Sequence, residues 1–277
     1  MPDVTPMMRQ YGRIKREHRD AILFFRLGDF YEMFRDDAEE ASRILGLTLT
    51  SRNGVPMCGV PYHAAHGYIG RLLSAGRKIA ICEQTKLPDG GKGLAEREVV
   101  EVITPGTVTE EDFLDSGSNN YLVAVGRLGD RLTLSFLDLS TGEFAVADFD
   151  ANGAYETLTR ELTRLRAREV LVQESLVEDD PAIHRLLYER DGVVVNRYPD
   201  WAFDVDTASE RLRSVLGVAN LKGFGLDDKS PALHAAGVVL DYVEDTAKSV
   251  LPHIRGVRLY RESDHVGLDE ATQRNLE

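Results

Sequence analysis

The sequence predicts an α/β protein made of two mixed-sheet domains followed by the start of a helical one. Three observations carry this prediction. The chain has 277 residues, more than one average domain needs. Strand-type and helix-type patterning alternate along most of its length. The stretch TEEDFLDSGSNN (109–120), acidic and then rich in Ser, Gly and Asn, divides that alternation in two. The expected boundaries are 1–110 for the first domain, 111–120 for the linker, 121–250 for the second domain and 251–277 for the start of the third.

The elements follow in order. TPMMRQYGRIKREHRD reads as a helix with Thr5 as N-cap and Pro6 at the first helical position. Met7, Tyr11 and Ile14 share a face, and Arg9, Arg13, Lys15, Arg16 and Arg19 crowd the others. AILFFRLGDFYEMF is aromatic and nearly all apolar, as strands are, and Gly28-Asp29 breaks it into two short strands. RDDAEEASRILG is a helix with Asp36 as the expected N-cap, Glu39 completing a capping box, and Gly46 as the stop. LTLTSR reads as a strand, GVPMCGVPYHAAHGYIGRLLSAG as a Pro/Gly-broken loop and then a helix, and RKIAICEQT and EREVVEVITPGTV as two further strands. Past the linker, YLVAVGRLGDRLTLSFLDLSTGEFAVADF is a three-stranded antiparallel meander with turns at 128–130 and 140–142. A helix with Leu158, Leu162 and Leu165 on its core face follows. Strands at EVLVQ and GVVVNRYP and helices at TASERLRSVLG and SPALHAAGVVLDYVEDTAKSVLPHI complete the second domain. LDEATQRNLE reads as a helix start with Asp269 as N-cap.

Bulk composition narrows the function classes. Hydrophobic residues make up 43% and charged residues 29%, a globular balance that can build real cores. No run approaches the ~18 apolar residues of a membrane span, and the N-terminus has no apolar signal region. Cys58 and Cys82 are the two cysteines; without an export signal they read as reduced thiols in a cytoplasmic protein. Residues 1–108 carry 15 Lys and Arg against 14 Asp and Glu, whereas the remaining 169 carry 18 against 32. A polyanionic partner would therefore favour the first domain.

The sequence carries few signals of catalytic chemistry. A nucleotide-binding loop would need G-x-x-x-x-G-K-[ST], and the nearest approach, around Gly91-Lys92-Gly93, fails because position 86 is Lys and position 93 is Gly. His63 and His66 have no acid close by in sequence and make a poor metal site. The second domain's strand order resembles the ribonuclease H-like fold, so a metal-dependent nuclease is an alternative to be weighed. Such a site needs carboxylates converging on two ions ~4 Å apart. The first strand, Tyr121-Leu122-Val123-Ala124-Val125, holds none, and Asp138 and Asp148 read as solvated strand ends.

One constellation remains. In LGDFYEMF (27–34), period-2 alternation puts Phe30, Glu32 and Phe34 on one face and Tyr31 and Met33 on the other. An aromatic ring and a carboxylate thus stand side by side just past a Gly turn. On residues alone, a core Phe30 with Glu32 at a solvent edge accounts for this as readily as a binding probe does.

Several long motifs in order, TPMMRQY, FFRLGDFYEMF, GVPMCGVPYHAA, AICEQ, EREVVEVITPGT, NNYLVAV, LSFLDLSTGEF and LDEATQRNLE, resemble the N-terminal part of the MutS family of DNA mismatch-recognition proteins. The resemblance implies a mixed-sheet mismatch-binding domain, a ribonuclease H-like connector domain, and the start of a helical core domain. It implies that Phe30, of the family's Phe-x-Glu motif, stacks on a mispaired base from the minor groove and that Glu32 hydrogen-bonds to that base. Arg52, Arg71, Arg77 and Lys78 are candidates for backbone phosphates. The resemblance further implies double-stranded DNA with mismatches or small loops as ligand, a MutL-type partner docking on the connector, a homodimer in the full-length family, and a cytoplasmic setting. No catalytic residue, metal or cofactor is expected in this part, because the family's ATP and magnesium belong to an ATPase domain beyond it. Besides the nuclease, a protein-interaction scaffold acting through the connector is the other alternative.

Overall fold

The computed structural model describes residues 5–86, 94–110, 113, 119–190 and 192–261, and only the backbone at 248–250. The Gly-rich loop holding Lys92, most of the expected linker and the expected helix at 268–277 lie outside the described residues.

The first domain is a six-stranded mixed sheet. In chain order it runs α1 (Pro6–Glu17), β1 (Ala21–Leu27), β2 (Phe30–Phe34), α2 (Asp36–Leu45), β3 (Thr50–Arg52), β4 (Val55–Pro61), α3 (Ala65–Ser74), β5 (Lys78–Lys86) and β6 (Glu96–Ile103). The spatial order is β3-β4-β2-β1-β5-β6. β1 and β2 form an antiparallel hairpin around Gly28, whose φ of +59° suits glycine. β5 returns parallel to β1 after the crossover through α2 and α3.

Strand alternation splits the sheet's side chains between two cores. Phe24, Tyr31, Met33 and Val60 face α2 and α3 with Ala41, Leu72 and Leu73. Leu23, Phe25 and Phe34 face α1, which covers them with Met8, Tyr11 and Ile14. The α1 cap is as expected, with the Met8 N–H donating to Thr5 Oγ1 at 3.3 Å. Its buried face is set by Met8 rather than Met7.

Two local expectations are corrected. Asp36 lies inside α2; the cap position is Arg35, with no side-chain cap bond and a φ of +56°. Asp37 is instead the acid that matters: it is buried, accepting from Tyr11 Oη at 2.9 Å and from the Leu23 N–H at 3.1 Å, with Lys15 Nζ at 2.7 Å. The segment VPMCGVP, expected as loop, is strand β4, paired with β2 and β3. Its prolines are tolerated because both fall toward the strand ends, where a missing N–H costs little.

The second domain runs β7 (Tyr121–Leu128), β8 (Arg131–Asp138), β9 (Glu143–Asp150), α4 (Ala154–Leu165), β10 (Glu169–Gln173), α5 (Glu174–Asp179), α6 (Pro181–Tyr188), β11 (Val194–Tyr198), α7 (Val205–Leu216), α8 (Ala236–Ala247) and β12 (Arg258–Leu259). The sheet order is β11-β10-β7-β8-β9-β12. The antiparallel meander β7-β8-β9 and the parallel β10 and β11 give the expected ribonuclease H-like arrangement. α4, α5 and α6 cover one face with Leu158, Leu162, Val177 and Ile183, and α7 and α8 cover the other with Ala208, Leu212, Val239 and Val243. The short helices α5 and α6 have no counterpart in the sequence reading; Asp180 caps the second, accepting from the Ala182 N–H at 3.0 Å ahead of Pro181. The sheet also extends past the expected end at 250: β12 pairs parallel with β9, and Ile254, Val257 and Tyr260 are buried in the second domain's cores.

Candidate nucleic-acid interface

The hairpin β1–β2 positions the site. α1 lies over the Phe34 end of the shared face, where Phe34 is 1% exposed and the Tyr11 ring meets it edge-on at 5.1 Å. α1 does not reach the other end, so Phe30 stands 47% exposed beside the turn. The same alternation that makes Phe34 a core residue thus makes Phe30 a projecting ring. The reading of Phe30 as core does not hold.

The tip that carries Phe30 is braced. The Tyr62 N–H, just after β4, donates to the Asp29 carbonyl at 2.9 Å. Arg26 Nε donates to the Gly28 carbonyl at 2.6 Å, and its guanidinium lies 3.6 Å from the Tyr62 ring centroid, a close cation–π contact. On the opposite face Tyr31 anchors the strand, its hydroxyl bonded to Glu83. Burial and the neighbouring Glu83 carboxylate push that phenol up to about 12. A ring presented on such a tip loses little conformational freedom on binding.

Glu32 sits two register pairs along the strand from Phe30, on the same face. Its carboxylate accepts from Arg52 Nη1 at 2.9 Å, and its side chain is 15% exposed while that of Arg52 is 48% exposed. Opposite it stands Gly59, where an added Cβ would lie 3.2 Å from the Tyr31 carbonyl oxygen and 3.5 Å from Glu32 Cγ. Gly59 therefore leaves room for the Glu32 stem. The assembled site is an exposed ring, a carboxylate next to it, and an arginine that neutralises the carboxylate from the outer strand.

The other three cations proposed for phosphates are engaged elsewhere. Arg71, on α3, donates to the Leu45 and Ile44 carbonyls at 3.0 and 3.1 Å, satisfying the end of α2. Arg77 Nε pairs with Glu40 at 2.5 Å and its Nη1 donates to the Ala75 and Gly76 carbonyls. Lys78 is 7% exposed and its ammonium bridges Asp20, at 2.6 Å, to Asn196 of the second domain. α3 also covers the sheet face opposite Phe30. Charge alone could not separate these three from Arg52; their partners lie tens of residues away in sequence. The Arg26–Tyr62 brace escaped sequence reading for the same reason, although both residues fall in motifs quoted above.

The two acids weighed as metal ligands, Asp138 and Asp148, are engaged with protein groups. Asp138 is fully buried rather than a solvated strand end, accepting from the Ser140 N–H at 2.9 Å, Ser140 Oγ at 2.6 Å and the Asn120 N–H at 3.3 Å. Asp148 is paired with Arg131, whose Nε lies at 2.8 Å. Among the described residues there is no group of three or more His, Cys, Asp or Glu able to hold an ion, and no helix long and apolar enough to cross a membrane.

Comparison with known proteins identifies the family. A family model described as MutS domain I matches residues 5–112, and one described as MutS domain II matches residues 120–255. The DNA mismatch repair protein MutS of Treponema denticola is 52% identical over 283 residues, an alignment covering 99% of this chain and 32% of that protein. Its counterpart in Borrelia hermsii is 43% identical over 275 residues, covering 99% of this chain and 31% of that protein. The chain spans about a third of the length of the curated relatives it matches. Two successive domain matches in sequential order, on two sheets folded as described, place the chain in the MutS family.

Proposed function

We propose that the chain serves DNA mismatch repair by reading mispaired or unpaired bases, with Phe30 as a wedge entering from the minor groove. The observation that carries this reading is the exposed Phe30 ring beside Glu32 on a braced hairpin tip. Inserting a ring unstacks a base step and kinks the duplex, which costs a few kcal/mol. At a mispair the stack is already weakened, so the same insertion costs less. Discrimination then comes from deformability, as suits a reader of many different mispairs.

Glu32 and Arg52 fit this scheme as a pair. A lone carboxylate beside phosphates is repulsive, which disfavours ordinary duplex. Arg52 holds that charge in the free protein. On DNA the half-exposed guanidinium turns to a phosphate, and Glu32 is released to hydrogen-bond the displaced base. The second domain acts as the connector that carries the signal onward and docks a MutL-type partner; a homodimer of the full-length protein supplies the rest of the grip on DNA.

The test uses the full-length protein containing this chain. Phe30→Ala should lower affinity for mismatched duplex by roughly tenfold or more, the ~1–3 kcal/mol of one aromatic–base stack, while matched-duplex affinity stays put. Arg52→Ala should reduce the slope of log affinity against log salt by about one. Equal discrimination by Phe30→Ala and wild type would refute the wedge.

A further inference from the structure

The junction between the two domains is built around a buried carboxylate. Glu169 opens β10 in the second domain and is fully buried. Its Oε2 accepts the Gly106 N–H at 3.0 Å, from the turn that follows β6 of the first domain. Its Oε1 accepts Asn196 Nδ2 at 2.8 Å and the Tyr242 hydroxyl, and the Lys78 ammonium of the first domain stands 3.9 Å away. Lys78 also bonds Asn196 and Asp20 and lies 5.4 Å from the Tyr242 ring centroid. Beside this, Asn120 Nδ2 donates to the Pro105 carbonyl at 2.8 Å. The Thr104 and Thr107 hydroxyls close the turn on each other at 2.7 Å. The turn Thr104-Pro105-Gly106-Thr107 is thus a peg of the first domain set into a polar socket of the second.

The fit is close in a way that only glycine permits. A Cβ on Gly106 would lie 2.7 Å from Glu169 Cβ, 3.0 Å from Glu169 Oε2 and 3.2 Å from Leu122 Cδ1. All three atoms belong to the second domain, so the crowding is entirely across the junction. At Gly76 an added Cβ would meet the Gly192 backbone only at an ordinary 3.7 Å, so the tight fit is at Gly106.

We propose that this network makes Lys78, Gly106 and Glu169 positioning residues that hold the mismatch-binding domain at one fixed angle on the connector. A surface contact would not do this, because exposed ion pairs are weak and screened by salt. Here one buried carboxylate serves three hydrogen-bond donors and an ammonium contributed by both domains, and separating the domains would strip it of the Gly106 N–H on Oε2 and of the nearby Lys78 ammonium. The directional bonds also fix register, since no other docking angle satisfies them together. The consequence for Phe30, that its approach to DNA is set by the connector, rests on the wedge reading above; the lock itself does not.

The lock can be measured in this chain without DNA. Cys58 and Cys82 are buried, and burial pushes the Cys58 thiol up to about 11, so spin labels go selectively to cysteines introduced at the exposed Arg43 and Glu189, one in each domain. Pulsed electron-spin distance measurement should give one narrow distribution for the wild-type junction, unchanged between low salt and 1 M NaCl. Gly106→Ala and Glu169→Gln should each broaden or shift it while Cys58 and Cys82 stay unreactive, showing the first domain still folded. Should Gly106→Ala expose those thiols, Lys78→Gln carries the same comparison. A broad wild-type distribution, or a distribution unmoved by variants that remain folded, would overturn the proposal. Neither outcome depends on whether Phe30 reads mismatches.

Discussion

Exposed and buried side chains of the first domain predict opposite effects on stability. Phe30 is half exposed, so Phe30→Ala should change folding stability by no more than ~0.5 kcal/mol in urea denaturation. A larger loss would mean that the ring supports the fold. Asp37 makes the opposite case. It is a buried carboxylate serving Tyr11, the Leu23 N–H and Lys15. Asp37→Ala removes the buried acceptor shared by the Leu23 N–H, Tyr11 and Lys15, leaving Tyr11 with the Phe34 carbonyl and Lys15 with the Arg19 and Ala21 carbonyls, and should cost ~1–3 kcal/mol, read as a shifted urea midpoint. The shared face of Phe30 and Glu32 was legible from period-2 alternation alone. Whether that face pointed at a core or at solvent was not, because α1 covers it at one end only.

At the level of elements, the junction from β2 to α2 carries a backbone cost that the sequence conceals. Arg35 adopts φ +56° and ψ −132°, a region close to glycine-only. Its N–H donates to the Pro56 carbonyl at 2.9 Å and its carbonyl accepts from the Ala38 N–H at 3.0 Å, which hold it there. Arg35→Gly should therefore raise the urea midpoint, the relief of ~1–3 kcal/mol exceeding the ~0.5–1 kcal/mol entropic cost of a new glycine. An unchanged or lower midpoint would show that the conformation is not strained. Elements with local signals were legible: the Thr5 cap, the Gly46 stop and the three-stranded meander. β4 was not, because Pro56, Gly59 and Pro61 read as breakers when its pairing with β2 and β3 is unknown.

Over the whole molecule, stability has a defined alkaline limit. Burial pushes the Cys58 thiol up to about 11 and the Cys82 thiol up to about 12, and burial with a carboxylate neighbour pushes Tyr31 and Tyr121 up to about 12. These acids keep their protons in the folded state at a pH where the unfolded chain has lost them. Their contribution is fully present below about pH 9, the ordinary thiol value, and is lost as pH rises toward 12. A denaturation series from pH 8 to 11 should show the urea midpoint falling, and a flat series would contradict the burial of these groups. Two domains and their order were legible from composition and linker chemistry. How they join was not, since Lys78, Gly106, Asn196 and Tyr242 meet around Glu169 from segments far apart in sequence. That is also why Lys78 looked like a phosphate contact and is a junction residue instead.

The proposed role of Phe30 is to unstack a mispaired step. Its most direct measurement is the fluorescence of 2-aminopurine placed beside a mismatch, titrated with the full-length protein. Wild type should raise the emission as the base loses its stacking neighbour, and Phe30→Ala should bind with little or no rise. An equal rise with both proteins would contradict the account.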